Sequence, residues 1–239
     1  LAQEIKVISN KLLVKGELTV SAVCRGEGGE IFSFGHSMPI SQIINLEGID
    51  EDCTCCVCLP VTSLEVLPKA DQAGDNRLID ISARVGAGVK AYRELSFPTV
   101  SDAYSICCDL ETKSRNADFA VIADKFNDTF TCRSTQDLPE ARQILALWCS
   151  DLSKSVAQDS DGIIISGELT LHFLYTDAES QPCYAQRQTN YEYRRAVRKC
   201  GDLKCSPCIE ITAASAVCAS GSADVRVEMN ISGCIFDSV

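Results

Sequence analysis

Apolar and polar residues alternate through much of this chain, which is the period of a half-buried strand and not of a helix. From Gly16 to Cys24 and again from Gly167 to Tyr175 the even-spaced positions are apolar or aromatic, and both stretches are rich in Val, Leu, Thr, Phe and Tyr, residues that fit a pleated surface. Leu78, Ile79, Ile81, Val85 and Val89 continue the pattern. Turn chemistry falls between these runs: Gly26 to Gly29, Gly74-Asp75-Asn76, and Asp161-Gly162 leading straight into a strand. The best helical candidate is Pro139 to Cys149, where Pro139 suits a first turn and Ile144, Leu145, Leu147 and Trp148 give a partly periodic face. Many short strands with regular turns predict sandwiches or open barrels.

The pattern also repeats. Leu12-Leu13-Val14-Lys15-Gly16-Glu17-Leu18-Thr19-Val20 returns 151 residues later as Ile163-Ile164-Ile165-Ser166-Gly167-Glu168-Leu169-Thr170-Leu171. Carrying that offset forward nearly unchanged sets Cys53-Thr54-Cys55-Cys56 beside Cys205-Ser206-Pro207-Cys208, and Arg77 to Tyr92 against Asp224 to Phe236 as the last strand of each copy. A period this long indicates duplicated domains, not a solenoid. The expected architecture is all-β with minor α: two tandem β-sandwich-like or open-barrel domains at 1–116 and 148–239, joined over 117–147 by a partly helical connector. Apolar Phe119 to Ile122 makes that connector a candidate to donate a strand.

At 239 residues, 46% hydrophobic and 23% charged, the chain has the composition of two ordinary globular domains. A formal net charge of −11 argues against nucleic acid, because no basic stripe exists to displace counterions. The densest positive stretch, Arg194, Arg195, Arg198 and Lys199, reads as a solvated strand face or a contact for an acidic neighbour. No apolar run approaches the roughly 20 residues of a membrane span, and the first residues lack the apolar region of a signal peptide.

Fifteen cysteines change the picture most. An odd number cannot all pair within one chain, and a chain of this length seldom needs disulfides merely to fold, so bonds between chains are favoured. The cross-linking candidates are Cys53, Cys55, Cys56, Cys58, Cys107, Cys108, Cys200, Cys205 and Cys208. On a strand, Cys53 and Cys55 point one way and Cys56 and Cys58 the other, so one strand presents thiols to both sides. Adjacent Cys107 and Cys108 want different partners. The alternative is structural zinc held by Cys53, Cys56, Cys205 and Cys208, which requires the two domains to meet face to face; otherwise no cofactor is expected. Asp159-Ser160-Asp161-Gly162 with Glu168 matches part of an EF-hand loop, but Ala157 replaces the first ligand and a strand follows, so an Asp-Gly turn is the better reading. No catalytic residues are assigned. The two histidines, His36 and His172, have no nucleophile pattern around them, and alternation turns His172 away from Leu171 and Phe173. Trp148 is read as an anchor of the connector.

At Leu13-Val14-Lys15-Gly16-Glu17-Leu18, Met38-Pro39-Ile40-Ser41, Leu46-Glu47-Gly48-Ile49 and Ser101-Asp102-Ala103-Tyr104-Ser105 the chain resembles the SPOCS domain family of spore-coat and exosporium morphogenetic proteins of endospore-forming Firmicutes. The second copy departs from the pattern, with Asn190-Tyr191-Glu192-Tyr193 in place of the Pro-hydrophobic-Ser element. The resemblance implies a β-rich, non-enzymatic structural module. It also implies synthesis in the mother-cell cytosol and a place at the spore surface, with copies of itself and other spore-coat proteins as partners. The combined expectation is a protein that assembles with itself into a disulfide-cross-linked fibre or lattice, with a binding module for another coat or cell-wall protein as the alternative.

Overall fold

The computed structural model describes residues 2–96, 98, 100–109, 111–113, 115, 117–198 and 201–238, and among these every regular element is a strand. β1 (Ala2–Ile8), β2 (Lys11–Arg25) and β3 (Ile31–Asn45) form an antiparallel meander with β2 in the middle. The Gly26 to Gly29 turn joins β2 to β3, with Gly26 N donating to Glu30 O and Gly29 in the left-handed region at φ 88°, where a side chain would be strained. β4 (Thr54–Cys58) then pairs with β7 (Gly88–Tyr92), while β5 (Val61–Lys69) and β6 (Leu78–Val85) form a hairpin around the turn at Gly74.

After the connector come β8 (Ala120–Asp137) and β9 (Gln143–Ser150), then a second meander of β10 (Ser155–Gln158), β11 (Gly162–Thr176) and β12 (Pro182–Ala196). β13 (Asp202–Cys205) and β14 (Cys208–Ala219) both pair with the long last strand β15 (Ser222–Ser238). The duplication is visible in the register. Lys11 lies opposite Asn45 and Arg25 opposite Ile31, and the residues 151 positions on repeat this, Gly162 opposite Ala196 and Thr176 opposite Pro182.

Downstream the offset shortens. Cys58 opposite Gly88 and Val61 opposite Val85 find their counterparts 147 positions on, at Cys205 opposite Ile235 and Cys208 opposite Ser232. The expected alignment of Cys53–Cys56 with Cys205–Cys208 is therefore corrected: Cys58-Leu59-Pro60 is the segment that matches Cys205-Ser206-Pro207. The second copy has lost four residues between its meander and this point. The last strands do correspond, as β6 and β7 in the first unit and one continuous β15 in the second.

The connector departs from expectation. Pro139 to Cys149 is not a helix; Gln143–Ser150 is β9, laid antiparallel on the far half of β11, with Thr170 opposite Ser150 and Leu171 opposite Cys149. Eight residues are too few for a helix stable on its own, whereas the open edge of β11 offers a ready ladder and a core face for Ile144, Leu147 and Cys149. The apolar start at Val121 and Ile122 belongs to β8, which follows β15 from Ala120 opposite Ser238 to Asp137 opposite Ser222. Residues drawn as connector thus complete the sheets of the second unit.

The two units differ in how well they are closed. In the second, Ile163, Ile165, Leu169, Leu171 and Phe173 of β11 pack against Val225, Val227, Met229, Ile231 and Ile235 of β15, all at 3% exposure or less. Among the described residues of the first, Leu12, Val14, Ile49, Cys55 and Val57 form the buried core. Leu18, Val20, Ala22 and Cys24, the counterparts of Leu169, Leu171, Phe173 and Tyr175, are half-buried, and β5 is exposed along its whole length. No described strand of the first unit corresponds to β8 or β9.

Candidate functional site

The cysteine-rich strand β4 forms the seam between the units, and the alternation of a strand decides which thiol faces which side. Cys55 and Val57 point into the small first core. Cys53, just before the strand, packs on that same side and its Sγ donates to Asp50 Oδ1 at 3.3 Å, while Arg93 Nη2 reaches Asp50 Oδ2 at 2.6 Å. Cys56 and Cys58 take the other face, toward the second unit. Cys58 is disulfide-bonded to Cys208, with Cα atoms 6.2 Å apart, and Cys56 Sγ lies 3.4 Å from Cys234 Sγ.

Polar and aromatic contacts extend the seam on both sides. Leu59 N donates to Glu210 Oε1 at 2.8 Å, Lys90 Nζ donates to Ser206 Oγ at 2.7 Å, and the Tyr92 ring meets Phe236 edge-on at 4.8 Å between centroids. A cleft of about 430 Å³ beside it is lined by Cys53, Cys55 and Cys56 from one side and by Lys125, Phe126 and Asn230 from the other.

Burial pushes the Cys205 thiol up to about 11, and the neighbouring Cys56 pushes in the same direction against the opposing pull of Lys90 and Lys154. Cys234 is pushed up to about 12, again by burial first and then by its contact with Cys56. The thiolate is the form that attacks disulfides and binds metals, so both groups are almost wholly in the unreactive form at neutral pH. The seam chemistry is that of a structural bond flanked by quiet thiols.

The nine cross-linking candidates fall in different places. Cys58 and Cys208 bond each other, Cys56 and Cys205 share the seam with them, Cys53 and Cys55 turn into the first core, and Cys107 and Cys108 are exposed. Cys200 lies outside the described residues, as does Lys199. The four-thiolate set Cys53, Cys56, Cys205 and Cys208 is not brought together, because Cys53 and Cys56 leave β4 on opposite sides and Cys208 is already bonded. Among the described residues no group of three or more His, Cys, Asp or Glu side chains is arranged to hold a metal. Cys234 was not anticipated; its signal is the matched pair Gly86-Ala87 and Gly233-Cys234, readable only once the 147-residue register is known.

The remaining polar features have local explanations. Asp159 Oδ1 accepts from Asp161 N and Gly162 N, closing the Asp-Gly turn, and its other oxygen meets Arg194 at 3.3 Å. Arg195 pairs with Asp124 at 2.8 Å and Asp128 at 2.9 Å, tying β12 to β8. His172 sits outward between Trp148 and Tyr184, bonded to Ser150 Oγ and Tyr184 Oη at 2.6 Å each, so Trp148 fixes β9 on β11 by stacking at 5.2 Å.

Residues 2–66, from β1 into β5, match the family model described as SipL, SPOCS domain, in one copy. The second unit repeats the strand register of the first but lies outside that match. No curated protein and no solved structure matches the chain. Residues 2–66 are therefore similar to a SPOCS domain, a domain associated with sporulation.

Proposed function

We propose that the protein is a non-catalytic structural component of the spore surface that assembles with copies of itself, as a fibre or lattice, and is then fixed by disulfides. The observation that supports this best is the segregation of its thiols. One set holds the two units to each other across β4, while Cys107 and Cys108 on the exposed segment after β7 are left to face other chains. The second unit is read as a diverged SPOCS copy, on the strength of the shared register. Synthesis in a reducing mother-cell cytosol keeps the outer thiols free until the chain reaches the surface, where dioxygen or a small-molecule disulfide takes up the two protons and two electrons released per bond.

Non-reducing gels and negative-stain electron microscopy on one sample, with and without reductant, test the reading. Ordered fibres or sheets that resist denaturant until thiol is added are expected. A monomer under oxidising conditions at high concentration would overturn it, and stoichiometric capture of another coat protein without self-association would favour a binding module instead.

A further inference from the structure

The face that β15 turns toward the first unit carries a buried free thiol. Along β15 the odd-numbered Val225, Val227, Met229, Ile231 and Ile235 enter the second core, so the even-numbered Asn230, Ser232, Cys234 and Phe236 lie on the opposite face. There Asn230 and Ser232 line the seam cleft and Phe236 meets Tyr92. Cys234 is only 3% exposed although it points away from its own unit's core, so the docked first unit is what covers it.

Two registers coincide across the seam. Cys56 and Cys58 are two residues apart on one face of β4, about 7 Å along the strand. Cys208 lies opposite Ser232, two residues before Cys234, so Cys208 and Cys234 are diagonal neighbours on the facing sheet. Cys58 is bonded to Cys208. The next rung brings Cys56 Sγ to 3.4 Å from Cys234 Sγ, within about 1.4 Å of a disulfide's length of about 2.05 Å. The contact is between the sulfurs themselves, so the two side chains already converge. Cys205 is close enough to act on both by charge, but it sits opposite Ile235 and packs against the second core.

We propose that Cys56 and Cys234 form a second, reversible disulfide of the seam, made by exchange with a small-molecule disulfide once the two units have docked. Cys56, half-buried and lining the cleft, is the sulfur that the reagent reaches. As thiolate it attacks one sulfur of the reagent, displacing the other as a thiolate and leaving a mixed disulfide on Cys56. Cys234 then gives its proton to solvent, and its sulfur attacks Cys56 Sγ and displaces the second reagent thiolate. Two protein thiols lose two electrons and two protons, and one reagent disulfide becomes two thiols. Burial holds Cys234 in its protonated form, so the rung closes slowly at neutral pH and faster as pH rises. With both rungs made, alternate residues of one strand are pinned, which fixes the angle between the units where one bond leaves a swivel. The inference is independent of whether copies of the chain assemble.

The test is non-reducing peptide mapping by mass spectrometry on the full chain carrying Cys107→Ser and Cys108→Ser, which removes the exposed thiols. The chain is incubated with oxidised glutathione and quenched with iodoacetamide. Trypsin releases residues 26–69, 205–226 and 227–239 as separate peptides, and Cys234 is the one cysteine of the last. The expected result is the loss of two alkylatable thiols and a 227–239 peptide joined to 26–69 through Cys56, formed faster at pH 9 than at pH 7 and without selectivity in urea. In Cys234→Ser, glutathione should stay on Cys56; in Cys56→Ser, Cys234 should stay alkylatable. The parent map requires neither variant to fold. Cys234 left alkylatable after Cys56 has taken glutathione, Cys234 joined to Cys205 or another cysteine, both sulfurs left unmodified, or an equal yield of the Cys56–Cys234 link from the urea-unfolded chain would each overturn the proposal.

Discussion

The Cys58–Cys208 bond closes a loop with a sequence separation of 150, and its removal is the most informative perturbation of the seam. In the chain-entropy account, a loop of that length removes about 17 cal/mol/K from the unfolded ensemble, or about 5 kcal/mol at 25 °C. If the first unit unfolds while the second stays folded, the flexible loop shrinks to the stretch from Cys58 to the start of β8 at Ala120, roughly 60 residues, and the figure falls only to about 4 kcal/mol. The logarithm makes the expectation robust to how the units uncouple. The first unit should suffer most, since among the described residues its buried core has five against eighteen in the second.

Urea unfolding of Cys56→Ser/Cys58→Ser/Cys208→Ser against Cys56→Ser measures this, the shared change preventing the neighbouring Cys56–Cys234 pair from substituting for the lost bond. Fluorescence of the single Trp148 reports the second unit and far-ultraviolet circular dichroism reports both. The triple variant is expected to lose part of its dichroism at low urea, before the Trp148 signal moves, with the first transition destabilised by about 4 kcal/mol. Coincident transitions in both proteins, displaced by less than about 1 kcal/mol, would refute the claim that this bond holds the small first unit in place.

Other outcomes follow from the same comparison of units. Leu169→Ala should cost about 2 to 5 kcal/mol in the second unit's transition, while Leu18→Ala at the half-buried counterpart should cost well under half as much; equal losses by urea melts would contradict the open first unit. Alkylation mapped by mass spectrometry should reach Cys107 and Cys108 quickly at pH 7 and Cys205 and Cys234 slowly, the latter two rising about tenfold per pH unit toward about 11 and about 12. Those two thiols also fix a sign for stability. Their folded values lie above 9.0, so their contribution is fully present below pH 9 and is lost as pH rises toward 11 to 12, which guanidinium midpoints at pH 8 and pH 11 would register. Arg195→Met should leave Asp124 without its cation and Asp128 with the Tyr193 hydroxyl alone, and cost about 1 to 3 kcal/mol, with Arg195→Lys recovering only part of it.

The strands and the repeated segment are legible because both rest on local pattern. An apolar triplet followed by Gly-Glu-Leu-Thr occupies the same ladder positions in β2 and β11, and no tertiary knowledge was needed to see it. The cysteine alignment failed because a four-residue loss between the meander and β13 leaves no mark in composition; only Pro60 and Pro207, each after a cysteine two residues earlier, betray the true register. The strand in the connector is hidden for a different reason. Gln143–Ser150 is built of good helix formers, but β11 offered it seven paired positions and a buried face, and tertiary context overrode propensity. The pairing of Cys58 with Cys208, and the approach of Cys56 to Cys234, depend on how two domains dock, which spacing along one chain does not encode.

The distribution of thiols also orders events in the proposed assembly. A buried thiol with its ionisation pushed up reacts slowly with an external disulfide, while an exposed one reacts faster. On that reading Cys205 and Cys234 stay reduced while Cys107 and Cys108 find neighbours, so bonds between chains do not scramble the seam. Such bonds convert an association limited by equilibrium into one limited by bond breakage.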